Sequence, residues 1–474
     1  MVSNALKFEI ILSFNLNHDK ANAVYLCLFR QVILNMMKKI KSCFNQVFYP
    51  FPIFILFLLF IPIGSYSQEE KKEIPNGTEG DIFVIPPSDS IIPQKKALDW
   101  NEFDVGFTTF RMGFGFLYDF VTYAQDDDGK AQMDSADVDL QPDTKVRDLR
   151  IMISGRFKTK RTFTWKGGFI YDGAVDKWYV RETGFTIGLP ELSGHIFIGR
   201  TKEGFSLNKV TNGYAGWTME RQMALDVIPI LADGIKYFGY LPKSQIFWNV
   251  GAFTNLLSLH ESFSKFDWQY ALRIGWLPFY SKEENHLLHL GVNFRYGKPT
   301  NGEIKLRSKP EADPSPYFID TGTFPSDHSF HVGTEIYYNS GSLMLGSEVY
   351  LHSFSSTSAD NPQFFGGEIM ASYILTGETR PYNTTGSVYG FISVKKPVFH
   401  GGFGAWEVLL RVSTLDLNGG NIEGGKFWRI TPMVNWYANK NIRLDLVYGY
   451  GILDRFNLTG TTQFFQTRIQ LQIL

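Results

Sequence analysis

From about residue 101 to the C-terminus, the chain consists of short segments in which apolar and polar residues alternate. One segment alternates Trp268, Tyr270, Leu272, Ile274 and Trp276 with Gln269, Ala271, Arg273 and Gly275. Side chains of a strand point alternately to its two sides, so such a segment has one apolar and one polar face. The alternation recurs at 148–157, 288–296, 406–413 and 468–473. It predicts an all-β fold over residues 101–474 and no helix of ordinary length.

Three features favour a transmembrane antiparallel β-barrel over a soluble sheet protein. The segments are about 9 to 12 residues long, which is the length a tilted strand needs to cross a bilayer. The chain has an N-terminal export sequence (below) and ends in a strand. Aromatic residues recur at the ends of apolar faces, where barrels carry girdles: Trp276, Tyr296, Tyr350, Tyr373, Trp436 and Tyr448. We count about 16 to 18 segments and predict 16, with 18 as the alternative, around an aqueous lumen.

A secretory signal peptide is predicted at residues 36–67. The apolar run 51–63 follows a lysine-rich stretch, and its 13 residues fall short of the roughly 20 of a membrane-spanning helix. Small residues at positions 65 and 67 suit cleavage before Gln68. The alternative is an N-terminal membrane anchor. Because Met36 and Met37 make better starts, we interpret residues 1–35 as a mis-assigned upstream start.

Residues 68–100 are charged and contain prolines without strand or helix periodicity, which predicts a flexible periplasmic leader before the barrel at 101–474. Cys27 and Cys43 both precede the predicted cleavage site, so the mature chain has no thiol chemistry. The net charge of −1 argues against a nucleic-acid partner, because neutralising phosphates requires a basic excess.

Enzymatic signatures are missing from the sequence. It contains neither a Gly-x-Ser-x-Gly elbow nor a His-Glu-x-x-His motif. His286 and His289 are three residues apart, which places them on opposite faces of a strand. The acidic run at 126–128 is more typical of a solvated loop tip than of a Ca²⁺ site. The sequence therefore nominates no catalytic residue, metal or cofactor, although an outer-membrane enzyme stays open as a third hypothesis.

The parity of the strands assigns the side chains that line the lumen. Nine basic residues fall on the inward face: Arg150, Arg156, Lys166, Arg273, Arg295, Arg411, Arg429, Arg443 and Arg468. Six acidic residues do so: Asp148, Glu335, Glu348, Glu368, Glu407 and Asp445. A basic excess would favour the passage of anions. The alternative interpretation is a set of cross-strand ion pairs that stiffen the wall, and the two are compatible.

Two blocks of sequence resemble the phosphate-selective porin O and P family. GRTKEGFSL at 199–207 and TMER at 218–221 are similar to the segment leading into the family's long third loop. GAWE at 404–407, LDLN at 415–418 and NWYAN at 435–439, with Arg411 and Arg443, resemble its closing strands, and Arg181-Glu182 resembles its Arg-Asp pair. Gly204, Arg200 and Leu474 depart from the family's pattern, where Pro, Gln and a terminal aromatic are common.

The resemblance implies a homotrimeric, 16-stranded channel in outer-membrane lipids, narrowed by an infolded loop and passing small anionic or neutral solutes with a mild preference for anions such as phosphate. The stretch 202–233, about 30 residues long, is the candidate constriction loop. If it folds inward, Lys202, Lys209 and Arg221 line the narrowest passage, where arginine binds phosphate bidentately and lysine acts as a point charge. The alternatives are an external trimer latch for the loop, and a closed barrel with a binding or structural role for the protein.

Overall fold

The computed structural model describes residues 98–172, 176–257 and 266–473. The predicted upstream start, the signal peptide and nearly all of the leader lie outside these residues. Within the described ranges, no helix is long and apolar enough to cross a membrane.

Twenty-two strands are present in the described part of the chain. They are β1 Glu102–Asp104, β2 Thr109–Gln125, β3 Asp143–Arg156, β4 Phe163–Asp172, β5 Lys177–Val180, β6 Thr183–Leu189, β7 Gly194–Thr201, β8 Ala232–Leu241, β9 Ile246–Thr254, β10 Phe266–Ser281, β11 His286–Pro299, β12 Glu303–Ser308, β13 Ile319–Pro325, β14 His328–Ser340, β15 Leu343–Ser355, β16 Gln363–Ile374, β17 Tyr382–Asn383, β18 Val388–Tyr389, β19 Ala405–Gly419, β20 Ile422–Tyr437, β21 Ile442–Arg455 and β22 Leu458–Ile473.

The wall is a closed antiparallel barrel. Each strand of the wall pairs with the next wall strand along the chain, and β22 returns to pair with β2 from Phe114 opposite Ile473 to Gln125 opposite Thr462. β5 and β6 both pair with β4 and form one interrupted strand, and β1 adds a short edge beside the start of β2. The hairpins β12–β13 and β17–β18 are not part of the wall. The barrel therefore has 16 strands, which confirms the predicted number.

The predicted alternation of faces is present in the wall. On β15, for example, Val349 and Leu351 are exposed on the outside while Glu348 and His352 are buried inside. Tyr350 has the same parity as Glu348 and is buried in the lumen, so its assignment to an aromatic girdle was wrong. The other five predicted girdle residues lie on the outward face.

The wall is not equally tall around its circumference. Wall strands from β10 to β22 have 12 to 16 residues, whereas β4 and β7 to β9 have 8 to 10. Connections at the end where β22 finishes are mostly short, as at 242–245 and 282–285. Outer-membrane barrels have their short turns in the periplasm, so we call this the periplasmic end.

Three long connections enter the barrel. L3, residues 202–231, joins β7 to β8; residues 300–327 carry the β12–β13 hairpin; and residues 375–404 carry β17 and β18 at the periplasmic end. The hairpin brings Leu306 and Phe318 into a fully buried apolar cluster with Phe427 and Phe464 of the wall. Much of the space expected to hold water is therefore packed with protein.

Helices are short and belong to connections. α1, Asp127–Ser135, is capped by Asp126, whose carboxylate accepts from the Gly129 N–H at 2.7 Å. The acidic run expected at a loop tip thus begins a helix, because carboxylates stabilise the first turn. α2, Leu207–Val210, lies in L3 and is capped by Ser206. Single 3₁₀ turns occupy Pro190–Leu192, Met223–Val227, Thr300–Gly302, Thr357–Ala359 and Val398–His400.

Candidate functional site: a basic passage beside the infolded loop

L3 crosses the lumen and is held by the opposite wall. Carbonyl oxygens at its tip accept from side chains of three distant strands: Gln470 donates to Tyr214 at 3.0 Å, Arg443 to Gly216 at 2.5 Å and Asn435 to Trp217 at 2.8 Å. Main-chain oxygens facing the lumen need such donors once they leave water. The loop therefore lies inside the barrel, and the alternative of an external latch was wrong.

The tip of L3 packs against the infolded segment 375–404. The Trp217 ring is almost fully buried and meets Tyr337 of the wall and Tyr389 of the segment edge-on, at centroid distances of 5.5 and 5.6 Å. Arg380 of the segment donates to the Ala215 carbonyl at 2.8 Å. Two connections from opposite ends of the barrel thus meet near the lumen centre.

Four of the predicted pore-lining arginines lie in sealed ion pairs on this filled side of the lumen. They are Arg273 with Glu335 at 2.8 Å, Arg295 with Glu203 at 3.0 Å, Arg411 with Glu311 at 2.5 Å and Arg443 with Asp445 at 2.5 Å. Lys209 of L3 also pairs with Glu203, at 2.6 Å. All of these side chains are at most 3% exposed. Their arrangement fits the ion-pair interpretation.

Three further predicted inward arginines have local partners. Arg156 lies near the periplasmic rim and pairs with Glu102 at 2.7 Å. Arg429 donates to the Pro310 carbonyl and to the side chain of Gln466. Arg468 pairs with Asp119 at 2.6 Å and also reaches Glu220 of L3.

A different group of charged side chains lies between L3 and the wall strands β3 to β8, and most of its members keep partial exposure. It contains six cations, Arg150, Lys166, Arg181, Lys202, Arg221 and Lys236, with two carboxylates, Asp148 and Glu182. We call this set the basic cluster. Lys166 and Glu182 form an ion pair at 3.6 Å, and their side chains are 15% and 17% exposed. Because cations outnumber carboxylates by four, the basic cluster carries a net positive charge.

Within the basic cluster, two L3 cations are joined to the loop's own backbone. Lys202 Nζ donates to the Thr211 carbonyl at 2.5 Å, and Arg221 donates to the same oxygen at 3.1 Å. Burial lowers the pKa of Lys202 well below its usual value, and the nearby positive charge of Arg221 adds to this. Burial likewise lowers the pKa of Arg221 to about 10. These shifts reflect mainly the burial of the two cations in L3.

The wall part of the basic cluster comes from β3, β4, β8 and the junction of β5 with β6. Arg150 pairs with Asp148 and lies over the Tyr214 ring, 4.9 Å from its centroid. Lys236 donates to the Thr201 hydroxyl and to the Lys202 carbonyl, both at 2.9 Å. Short strands and the infolded loop thus bring these cations together.

Sequence reasoning placed Arg150, Lys166, Lys202 and Arg221 among the candidate residues but missed Lys236 and Arg181 as members. Lys236 shares the inward parity of Phe238 and Tyr240 on β8, so the alternation carried a usable signal. Arg181 lies in the gap between β5 and β6, where the strand period is interrupted, and parity could not have assigned it.

A closed 16-stranded antiparallel barrel with a long loop folded into its lumen is the fold of outer-membrane porins. Residues 121–473 match the protein family described as phosphate-selective porin O and P, and the chain belongs to that family.

Solved porins share this fold at low sequence identity. The anion-selective porin from Comamonas acidovorans has a TM-score of 0.51 and 11% identity, covering 77% of this chain and 100% of its own. The outer membrane channel DcaP of Acinetobacter baumannii has a TM-score of 0.50 and 10% identity, covering 78% of this chain and 99% of its own. At such identities the similarity shows the fold alone.

One curated relative is similar in sequence to only part of the chain. An uncharacterized protein of Caulobacter vibrioides (strain ATCC 19089 / CIP 103742 / CB 15) is 31% identical over 171 residues, which is 35% of this chain and 34% of that protein. The match spans about a third of the relative's length.

Proposed function

We propose that this protein is a passive outer-membrane channel for small hydrophilic solutes, with a mild preference for anions of the phosphate class. The proposal assigns it no catalysis. The observation that carries it is the basic cluster, where six cations and two carboxylates lie together beside L3 and most of them keep partial exposure. A passage with low-dielectric walls concentrates ions of the opposite charge.

The arrangement of donors supports an anion preference rather than tight binding. Lys202 and Arg221 donate hydrogen bonds to the Thr211 carbonyl, and Lys166 forms an ion pair with Glu182. Cations that already contact protein acceptors still attract an anion through their charge, but they do not hold it through a full set of charge-assisted hydrogen bonds. Conduction requires such incomplete binding, because a solute must also leave.

Planar-bilayer recording tests this function. We expect channels whose zero-current potential in a KCl gradient indicates anion preference, with added phosphate reducing the chloride current. K166Q and R181Q should each weaken that preference. The matched control is K282Q, because Lys282 is exposed in a periplasmic turn away from the basic cluster. Cation preference, or variants that behave like the control, would refute the role of the basic cluster.

The filled lumen favours a second candidate function, a closed barrel that binds surface polymers or partner proteins. L3, the β12–β13 hairpin and residues 375–404 all enter the barrel, and Trp217 at the tip of L3 is almost fully buried. The same recordings separate the two candidates. Absence of conductance from folded, reconstituted protein would favour the closed barrel.

We also propose a homotrimer that packs through the low side of the wall. Strand β7 has 8 residues and β9 has 9, which is at or below the roughly 9 to 11 of a strand that faces lipid. Two apolar grooves of about 460 and 390 Å³ lie on the outer surface of this side, one lined by Ile235 and Tyr270 and the other by Trp165 and Phe185. Light scattering of the detergent-solubilised protein should give three chains per particle, and a monomer would contradict the proposal.

Export is proposed to remove residues 36–67 and leave Gln68 as the mature N-terminus. The support comes from the sequence of that region, where an apolar run of 13 residues precedes small residues. Mass spectrometry of protein extracted from outer membranes tests it. A retained N-terminal peptide would indicate an anchor instead.

A further inference from the structure

Three carboxylates lie in one row on the filled side of the lumen. Glu335, Glu348 and Glu368 are directly opposite one another on β14, β15 and β16, and all three are buried. Like charges in this relation destabilise a sheet unless other groups compensate them. Glu335 has Arg273 at 2.8 Å and Glu368 has Arg411 at 3.4 Å.

Glu348 is compensated in another way. Among the described residues, no basic side chain forms an ion pair with it. The hydroxyls of Tyr337 and Tyr350 donate to its two carboxylate oxygens, the first at 2.9 Å. A buried carboxylate without a counter-ion depends on such hydrogen bonds.

The remaining donors to Glu348 come from L3. The Ser206 hydroxyl donates at 2.6 Å, the Asn208 backbone N–H at 2.8 Å and the Gln222 side-chain amide at 3.3 Å. Ser206 and Asn208 lie on the outgoing arm of the loop, and Gln222 lies on the returning arm. One carboxylate thus holds both arms of L3 against β15.

The wall provides room for this arrangement. Tyr337 is opposite Gly346, and Tyr350 is opposite Gly333, in the β14–β15 pairing. A Cβ atom at either glycine would lie 2.4 Å from the opposing tyrosine ring. Any side chain there would displace a ring that aims its hydroxyl at Glu348.

We propose that Glu348 is the positioning residue that latches L3 in the lumen and thereby sets the width of the passage. The inference rests on the proposed channel function for its consequence, since the width matters only if solutes pass. The latch itself does not depend on the channel function, because it is a contact between L3 and the wall.

The test uses E348Q in the full-length protein, with Y337F as the matched control. Glutamine keeps the shape but replaces one acceptor oxygen with an NH₂ group, so at least two of the five donors lose their acceptor. Y337F removes one wall donor and leaves every L3 contact to Glu348. We expect E348Q to expose Lys202, Lys209 and Arg221 to trypsin about tenfold faster and to raise the single-channel conductance about twofold with added current noise.

Barrel integrity is checked by retention of the heat-modifiable mobility in SDS gels. If E348Q fails to fold, the double variant S206A/Q222A removes two donors from the loop side and should produce the same changes. Wild-type trypsin resistance and conductance in both variants would overturn the latch. If the wild-type protein does not conduct, the channel proposal fails, while the trypsin comparison still decides the latch.

Discussion

Lys202 and Arg221 donate to one acceptor, the carbonyl oxygen of Thr211, at 2.5 and 3.1 Å. Lys202 follows directly on β7, whereas Arg221 lies on the returning arm of L3. The shared oxygen therefore connects the first residue of L3 to its returning arm. Lys202 is only 4% exposed, but Arg221 is half-buried, which separates a structural role from a role in permeation.

The first prediction follows from this separation. R221Q should lower the anion-to-cation permeability ratio about two- to threefold with little effect on stability, because it removes a partly exposed charge from the passage. K202M should instead destabilise the protein by about 1–3 kcal/mol, since it removes a buried donor to the Val210 and Thr211 carbonyls. Zero-current potentials and denaturant unfolding measure the two effects. An equal loss of selectivity and stability in both variants would contradict the separation.

A second prediction concerns pH. Asp226 lies in the 3₁₀ turn of L3, and its carboxyl contacts the Ser308 hydroxyl of the infolded hairpin segment at 2.7 Å. Burial raises its pKa to about 7, and the negative charges of Glu220 and Glu311 add to the shift. A raised folded-state pKa gives stability that is fully present below the ordinary value near 4 and lost as pH rises through about 7.

Contact between L3 and the hairpin segment should therefore weaken as the pH rises from about 4 to about 7 and change little above that. Trypsin cleavage within L3, measured in short pulses and corrected for the pH dependence of the protease on a reference peptide, should accelerate over this window. D226N stays neutral and should remove the acceleration. A pH profile unchanged by D226N would show that another group is responsible.

Strand parity correctly placed the wall residues, because alternation is a local property that a sequence displays directly. Tyr350 was assigned to the girdle although it shares the parity of Glu348, so that error was avoidable. The contacts of Glu348 with Ser206 were not predictable, since 142 residues separate the two and loops carry no period. The infolding of segments 300–327 and 375–404 was not predicted for the same reason. Their unusual length was the one available indication.

The third prediction concerns the apolar cluster inside the barrel. Phe318 of the hairpin segment is fully buried against Phe427 and Phe464, at centroid distances of 5.4 and 5.7 Å. F318A should destabilise the protein by about 3–5 kcal/mol, the usual cost of removing a buried aromatic ring. The control is F365A, because Phe365 lies exposed on the outer wall away from both apolar grooves. Comparable unfolding curves for the two variants would contradict a packed hairpin in the lumen.

The last prediction tests whether residues 375–404 help to close the lumen. Arg380 pairs with Glu407 of β19 at 2.9 Å and donates to the Ala215 carbonyl of L3 at 2.8 Å. R380M leaves Glu407 buried without its cation, a change that typically costs about 3–5 kcal/mol. It also frees the L3 tip from the segment, so the conductance should rise.

The double variant R380M/E407Q separates these two consequences. Glutamine removes the unpaired buried charge but keeps an acceptor oxygen for the donors Asn435 and Tyr437, so most of the lost stability should return. The contact with Ala215 stays broken, so the conductance should remain above that of the wild type. If conductance returns to the wild-type value together with stability, the rise in R380M came from a loosened barrel, and residues 375–404 do not restrict the passage.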